Sequence, residues 1–71
     1  MTSAQAPLER FGDIVKAQRK SYGWSQHQLA VAAQVSRPTV ARVEAGTAVS
    51  TATLSNVAVA LGIEVHLEVA S

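Results

Sequence analysis

A short run of hydrogen-bond donors, residues 36–42, carries the side chains with the clearest chemistry in this sequence. It reads SRPTVAR, so it combines two arginines with a serine and a threonine and contains no acid. Guanidinium and hydroxyl groups donate hydrogen bonds to phosphate oxygens and to the polar edges of nucleic-acid bases. The chemistry of this run is therefore the recognition of an anionic partner, and not the making or breaking of bonds.

Groups that would support catalysis are missing. The chain has no cysteine, and Glu9 and Asp13 fall on the exposed side of a predicted helix instead of facing each other in a cleft. His27 and His66 lie far apart in the sequence and have no cysteine or carboxylate cluster beside them, so we expect no metal site. We therefore predict that the protein is not an enzyme and has neither a cofactor nor a small-molecule substrate.

Two short helices joined by a tight turn must position the donor run. Ser25 and Gln28 stand at the S-x-x-Q spacing of a capping box, so a helix begins near Gln26. Ser36 is a second N-cap, and Pro38 is tolerated after it because the missing N–H would have no intrahelical partner in the first turn. Inward-facing positions of the second helix are Val40 and Val43, which leaves exposed Arg37, Thr39, Ala41 and Arg42. Its end is predicted at Gly46.

The order of these residues resembles the phage-repressor (Cro/XRE-type) helix-turn-helix family. The resemblance covers roughly residues 8–62 and rests on Gln26-x-x-Leu29-Ala30 followed by Val35-Ser36-x-x-Thr39-Val40-x-x-Val43-Glu44-x-Gly46. In that family the second helix of the unit enters the major groove of double-stranded DNA. The resemblance implies a mainly α, lambda-repressor-like domain of four to five helices. The DNA-binding residues that we predict are Gln26, Gln28, Ser36, Arg37, Pro38, Thr39, Ala41 and Arg42.

Some of these residues have a second interpretation. Gln26 matches a position that the family uses to grip phosphate, although both Gln26 and Gln28 also suit a purely capping role. For Lys16 and Lys20 a phosphate contact and an ordinary solvated helix face both stay open. At Gln34 the family usually places glycine, and a left-handed glutamine costs more, so a differently shaped turn stays open as well.

The resemblance also implies a structural ion pair between Arg19 and Glu44. In the family, an arginine at this place in the first helix pairs with a glutamate near the end of the groove-binding helix. We expect this pair instead of a phosphate contact by Arg19, because a buried, unpaired arginine is costly.

Two further helices flank the unit, and a polar tail precedes them. Apolar residues at helical spacing predict the first helix from residue 8 to about residue 21: Leu8, Phe11, Ile14, Val15 and then Tyr22. Trp24 is expected to pack back on Leu29 or a neighbour. A fourth helix follows a cap at Ser50 or Thr51 and ends at Gly62, with the stripe Leu54, Val57, Ala58 and Leu61. Residues 1–7 are expected to form a disordered N-terminal tail, and residues 8–62 the helix-turn-helix domain.

The C-terminal residues follow a different pattern. Residues 63–69, IEVHLEV, alternate apolar and polar side chains, which is typical of a half-buried β-strand. Because the chain offers no second strand, we expect residues 63–70 to pair with a second copy in a homodimer. The dimer contact would use Ile63, Val65, Leu67 and Val69. This arrangement is similar to the Hip-type antitoxins, which repress their own promoters and bind a kinase-fold toxin. The alternative is a stand-alone XRE-type regulator.

Length and charge agree with these expectations. A domain of 71 residues without cysteine is marginal alone, which favours oligomerisation. Five cations and no acid lie between residues 14 and 43, whereas three acids and no cation follow from Glu44 onward. The basic part suits phosphates. No apolar run is long enough to span a bilayer and the first residues lack the features of a signal peptide, so we expect a cytoplasmic protein with no membrane partner.

Overall fold

The computed structural model describes residues 7–64, and these residues form four α-helices. The helices are α1 (Pro7–Ser21), α2 (Gln26–Ala33), α3 (Arg37–Glu44) and α4 (Thr51–Leu61). This order confirms the mainly α, four-helix part of the fold class predicted above. None of the helices in this range is long and apolar enough to cross a membrane.

The predicted C-terminal strand is not seen in the part of the chain that the structure describes. Ile63 and Glu64 follow α4 without regular secondary structure, and residues 65–71 lie outside the described range. The N-terminal boundary also needs one correction, because Pro7, which we placed in the tail, is the first residue of α1. A proline suits that position since the first N–H groups of a helix have no intrahelical partner.

Serine hydroxyls begin three of the helices, as predicted for Ser25 and Ser36, and Ser50 is the cap of the two alternatives, Ser50 and Thr51, left open for α4. Each Oγ accepts a hydrogen bond from the backbone N–H three residues later, at 3.1 to 3.2 Å. Ser25 and Gln28 complete the capping box, since the Ser25 N–H donates to Gln28 Oε1 at 2.7 Å. These hydrogen bonds give an acceptor to backbone N–H groups that have none within the helix.

A residue in the left-handed conformation follows each of the four helices: Gly23, Gln34, Gly46 and Gly62. The next residue then donates its N–H back to the helix, as Thr47 does to Arg42 O at 3.0 Å. Gln34 adopts φ 59° and ψ 42°, so the glutamine takes the conformation in which glycine is usually found. The turn therefore keeps a residue in the left-handed conformation. Glutamine in place of glycine makes that conformation more costly but leaves the path of the backbone the same.

One apolar core joins all four helices. Its buried members are Val15, Leu29, Ala30, Ala33, Val40, Val43, Val57 and Leu61. Trp24 packs against this cluster, as expected, and meets the Tyr22 ring edge-on at a centroid distance of 5.0 Å. Two members of the predicted α1 stripe, Ile14 and Tyr22, are instead 46% exposed. Tyr22 lies at the edge of the core, where its hydroxyl donates to Leu61 O at 2.7 Å.

Gly12 brings α1 and α3 into backbone contact. A Cβ atom at this position would lie 2.5 Å from Val43 O and 2.7 Å from Glu44 O, well inside van der Waals distance. Only glycine allows the two helices to approach this closely. A glycine inside a helix costs about 1 kcal/mol relative to alanine, so the presence of Gly12 in α1 is itself a signal in the sequence of such a close approach.

Candidate nucleic-acid interface

The helix α3 divides into a buried side and a displayed side. Val40 and Val43 are buried in the core, as predicted. On the other side, Arg37, Pro38 and Arg42 are exposed and Thr39 and Ala41 are half-buried. The displayed side therefore carries two guanidinium groups and small side chains that leave room for a partner to approach.

The first turn of α3 is organised by Ser36 and Thr39. Ser36 Oγ accepts from the Thr39 backbone N–H at 3.2 Å, and the two hydroxyl oxygens lie 2.7 Å apart. One hydroxyl hydrogen bridges the two oxygens, which leaves the other for an outside acceptor. The pair can therefore donate one hydrogen bond to a phosphate or base edge, and not the two that separate side chains would provide.

Arg42 lies in the last turn of α3 beside the loop that leads to α4. Within residues 7–64, its guanidinium makes a single long hydrogen bond, from Nη2 to Ala48 O at 3.5 Å. A hydrogen bond of this length is weak. The Arg42 guanidinium therefore keeps most of its donors for a partner.

The ion pair between Arg19 and Glu44 supports the end of α3. Arg19 donates to both carboxylate oxygens, from Nε to Oε2 at 2.6 Å and from Nη2 to Oε1 at 3.1 Å, and from Nη1 to Trp24 O at 2.7 Å. These hydrogen bonds from the guanidinium to Glu44 raise the Arg19 pKa above its ordinary value, although burial alone would lower it. Arg19 is thus committed to the fold and does not point toward a partner.

The two predicted glutamines of α2 have different surroundings. Gln26 is half-buried, its Oε1 accepts from Arg37 Nη1 at 3.1 Å, and its Nε2 donates to Glu44 Oε1 at 3.2 Å. Gln28 is exposed and takes part in the capping box with Ser25. The structure therefore brings Gln26 together with Arg37, while Gln28 serves the start of α2.

The other residues named in the sequence predictions that the structure describes lie on α1, on α2 and after α4. Lys16 and Lys20 are exposed on α1, which agrees with both interpretations left open above. His27 is exposed, and Ile63 is half-buried against the core cluster. The other predicted positions, Val65, His66, Leu67 and Val69, lie outside the described residues.

The link from Gln26 to Arg37 and Glu44 was not predicted from the sequence. Gln26 and Arg37 are eleven residues apart and sit on different helices. No local spacing rule connects them, because their contact depends on how α2 crosses α3. The only signal in the sequence was the family match of Gln26, which indicated a direct phosphate contact instead.

Comparison with known proteins agrees with this geometry. A family model described as Helix-turn-helix matches residues 15–67, which is more than half of the chain and includes α2, the turn and α3. No curated protein matches the chain. The chain therefore belongs to the Cro/XRE-type helix-turn-helix family of DNA-binding regulators.

Proposed function

We propose that this protein is a sequence-specific transcriptional repressor that binds double-stranded DNA as a homodimer at a two-fold operator. The observation that carries the proposal is the displayed side of α3, where Arg37 and Arg42 are exposed at opposite ends of the helix and no acid is displayed between them. Arginine side chains of this kind contact phosphates and guanine edges in the major groove.

The two arginines are suited to different contacts. Arg37 is the first residue of α3, and its guanidinium is hydrogen-bonded to the side chain of Gln26, the first residue of α2. Helix N-termini favour negative charge, which fits a backbone phosphate at this place. Arg42 lies five residues further along, about 7.5 Å along the helix axis at 1.5 Å per residue, and is held only weakly. We assign Arg42 to a base edge.

Selection of bound duplexes from a random pool tests the proposal. We expect a sequence with two-fold symmetry, which would report specificity and dimeric binding together. In gel-shift titrations against the selected duplex and a scrambled one, Arg42→Ala should lose about 1–3 kcal/mol of specific binding. Arg37→Ala should weaken both duplexes and lower the dependence of log K on log salt by about 0.9.

Arg10→Ala is the matched control, since it removes the same charge from an exposed position of α1 outside the helix-turn-helix unit. It should change affinity less than either α3 variant. Unchanged affinity in both Arg37→Ala and Arg42→Ala would remove α3 from the interface and contradict the proposal.

We further propose that the repressor is the antitoxin of a Hip-type pair. The support is in the sequence, where the domain is followed at once by the alternating residues 63–69. The partner would then be a kinase-fold toxin. Co-expression with a neighbouring gene for such a protein should yield a complex on size-exclusion chromatography. Absence of both the gene and the complex would favour the stand-alone XRE-type regulator.

A further inference from the structure

We infer that Gln26 is a positioning residue that holds the Arg37 guanidinium ready for a DNA phosphate, and that Gln26 is itself fixed by the buried ion pair of Arg19 and Glu44. The inference rests on the proposed role of α3 and names the residue that organises one of its contacts. It also changes the role expected for Gln26, whose amide is used within the protein and does not face the phosphate directly.

The anchor of this arrangement is the Glu44 carboxylate. The side chains of Glu44 and Arg19 are only 5% and 10% exposed. Two guanidinium nitrogens hold the two carboxylate oxygens, and a third nitrogen holds Trp24 O. A carboxylate gripped in this bidentate way has a fixed orientation. Glu44 Oε1 therefore offers Gln26 an acceptor at a defined position.

The chemistry of the neighbours sets the orientation of the Gln26 amide. Glu44 Oε1 can only accept a hydrogen bond and the Arg37 guanidinium can only donate. The Gln26 NH2 group must therefore face Glu44, at 3.2 Å, and its carbonyl oxygen must face Arg37, at 3.1 Å. A reversed amide would place oxygen against oxygen and donor against donor. The ion pair thus dictates which end of Gln26 meets Arg37.

The hydrogen bond from Arg37 to Gln26 restrains the guanidinium but leaves its other N–H groups for a partner. Gln26 occupies one donor of the exposed guanidinium, which carries five N–H groups in all. A flexible arginine loses rotamer freedom when it binds, and a side chain that is already held loses less. Gln26 and Arg37 are the first residues of α2 and α3, and helix N-termini favour negative charge, so a phosphate suits the held guanidinium as a partner.

A double-mutant cycle tests the inference. Gln26→Met keeps the length of the side chain but removes its hydrogen bonds to Glu44 and Arg37. Arg37→Ala removes the guanidinium that Gln26 holds in position. The two single variants, the double variant and the wild-type chain are titrated by fluorescence anisotropy against the duplex that the wild type selects from the random pool. Urea unfolding of each variant reports any general loss of structure.

Gln18→Met is the matched control, because Gln18 is also a half-buried helical glutamine but bonds to Tyr22 and Leu61 O at the far end of α4. Gln26→Met should weaken DNA binding about threefold to tenfold when Arg37 is present and have almost no effect when Arg37 is alanine. Gln18→Met should leave affinity unchanged in both backgrounds.

Three results would overturn the inference. Equal losses from Gln26→Met in both backgrounds would show that Gln26 acts on DNA independently of Arg37. A wild-type affinity in Arg37→Ala would show that there is no contact for Gln26 to position, while DNA binding itself would stand. Failure of the wild-type chain to select any duplex would overturn the proposed function at the first stage, and this inference with it.

Discussion

Arg19 on α1 and Glu44 on α3 form a buried ion pair, with Arg19 Nε 2.6 Å from Glu44 Oε2. The pair lies where α1, α2 and α3 meet, since Arg19 also bonds to Trp24 O before α2 and Glu44 also accepts from Gln26. It therefore connects the apolar core to the displayed side of α3. Removal of the ion pair should therefore lower the free energy of unfolding and weaken DNA binding.

The first prediction is that Arg19→Met and Glu44→Met each lower the free energy of unfolding by about 3–5 kcal/mol. The cost arises because each single substitution leaves the partner charge buried without compensation. The double variant should regain a large part of the loss, since it leaves no buried charge and its methionines fill a similar volume. Urea unfolding followed by circular dichroism measures all three.

The exposed Arg10 provides the control for this cycle. Arg10→Met should change the free energy of unfolding by less than about 0.5 kcal/mol, as surface substitutions usually do. If Arg19→Met cost no more than Arg10→Met, the ion pair would not be a buried support of α3 in solution.

The second prediction concerns the close approach of α1 and α3 at Gly12. Gly12→Ala should destabilise the protein by about 1–3 kcal/mol, because its Cβ would meet Val43 O and Glu44 O and force the helices apart. Gly23→Ala is the comparison, since its Cβ would meet nothing within 4 Å and its cost of about 1 kcal/mol would come from the left-handed backbone alone. A net stabilisation by Gly12→Ala, as helix propensity alone would give, would show that the helices do not touch there.

The third prediction concerns the left-handed glutamine in the turn between α2 and α3. Gln34→Gly should stabilise the protein by up to about 1 kcal/mol, because relief of the left-handed strain exceeds the entropy that glycine adds to the unfolded chain. Gln34→Ala should give little change, since alanine meets the same strain. A loss of stability in Gln34→Gly would mean that the glutamine side chain contributes more than its backbone conformation costs.

Helix ends were predictable from the sequence because their causes are local. Each capping serine, Ser25, Ser36 and Ser50, accepts from the N–H group three residues later, so the sequence alone contains the signal for these helix starts. The same locality explains why the displayed and buried sides of α3 were assigned as the structure shows them. The left-handed conformation of Gln34 was harder to predict, because its energetic cost disfavours that conformation in glutamine but does not forbid it.

Contacts between helices were not predictable in the same way. The Gln26–Arg37 bond and the closeness of Gly12 to Val43 depend on crossing angles and distances, which no spacing rule supplies. The Arg19–Glu44 pair was expected only because a family resemblance carried the three-dimensional relationship with it. Ile14 shows the limit of periodicity, since it keeps the helical spacing of the core residues but lies at the edge of the buried stripe.

The last prediction concerns the C-terminal residues and the proposed homodimer. Seven alternating residues at about 3.3 Å each would form a strand of roughly 23 Å, which is long enough to pair with its two-fold mate. That pairing would also set the separation of the two copies of α3, which must approach one DNA turn, about 34 Å. Val65→Pro removes a ladder N–H and should yield monomer in analytical ultracentrifugation, with a large loss of affinity for the selected duplex. Val65→Thr keeps the N–H and the β-branched shape, so it should remain dimeric. A Val65→Pro protein that stays dimeric and binds like the wild type would show that the helices alone form the dimer.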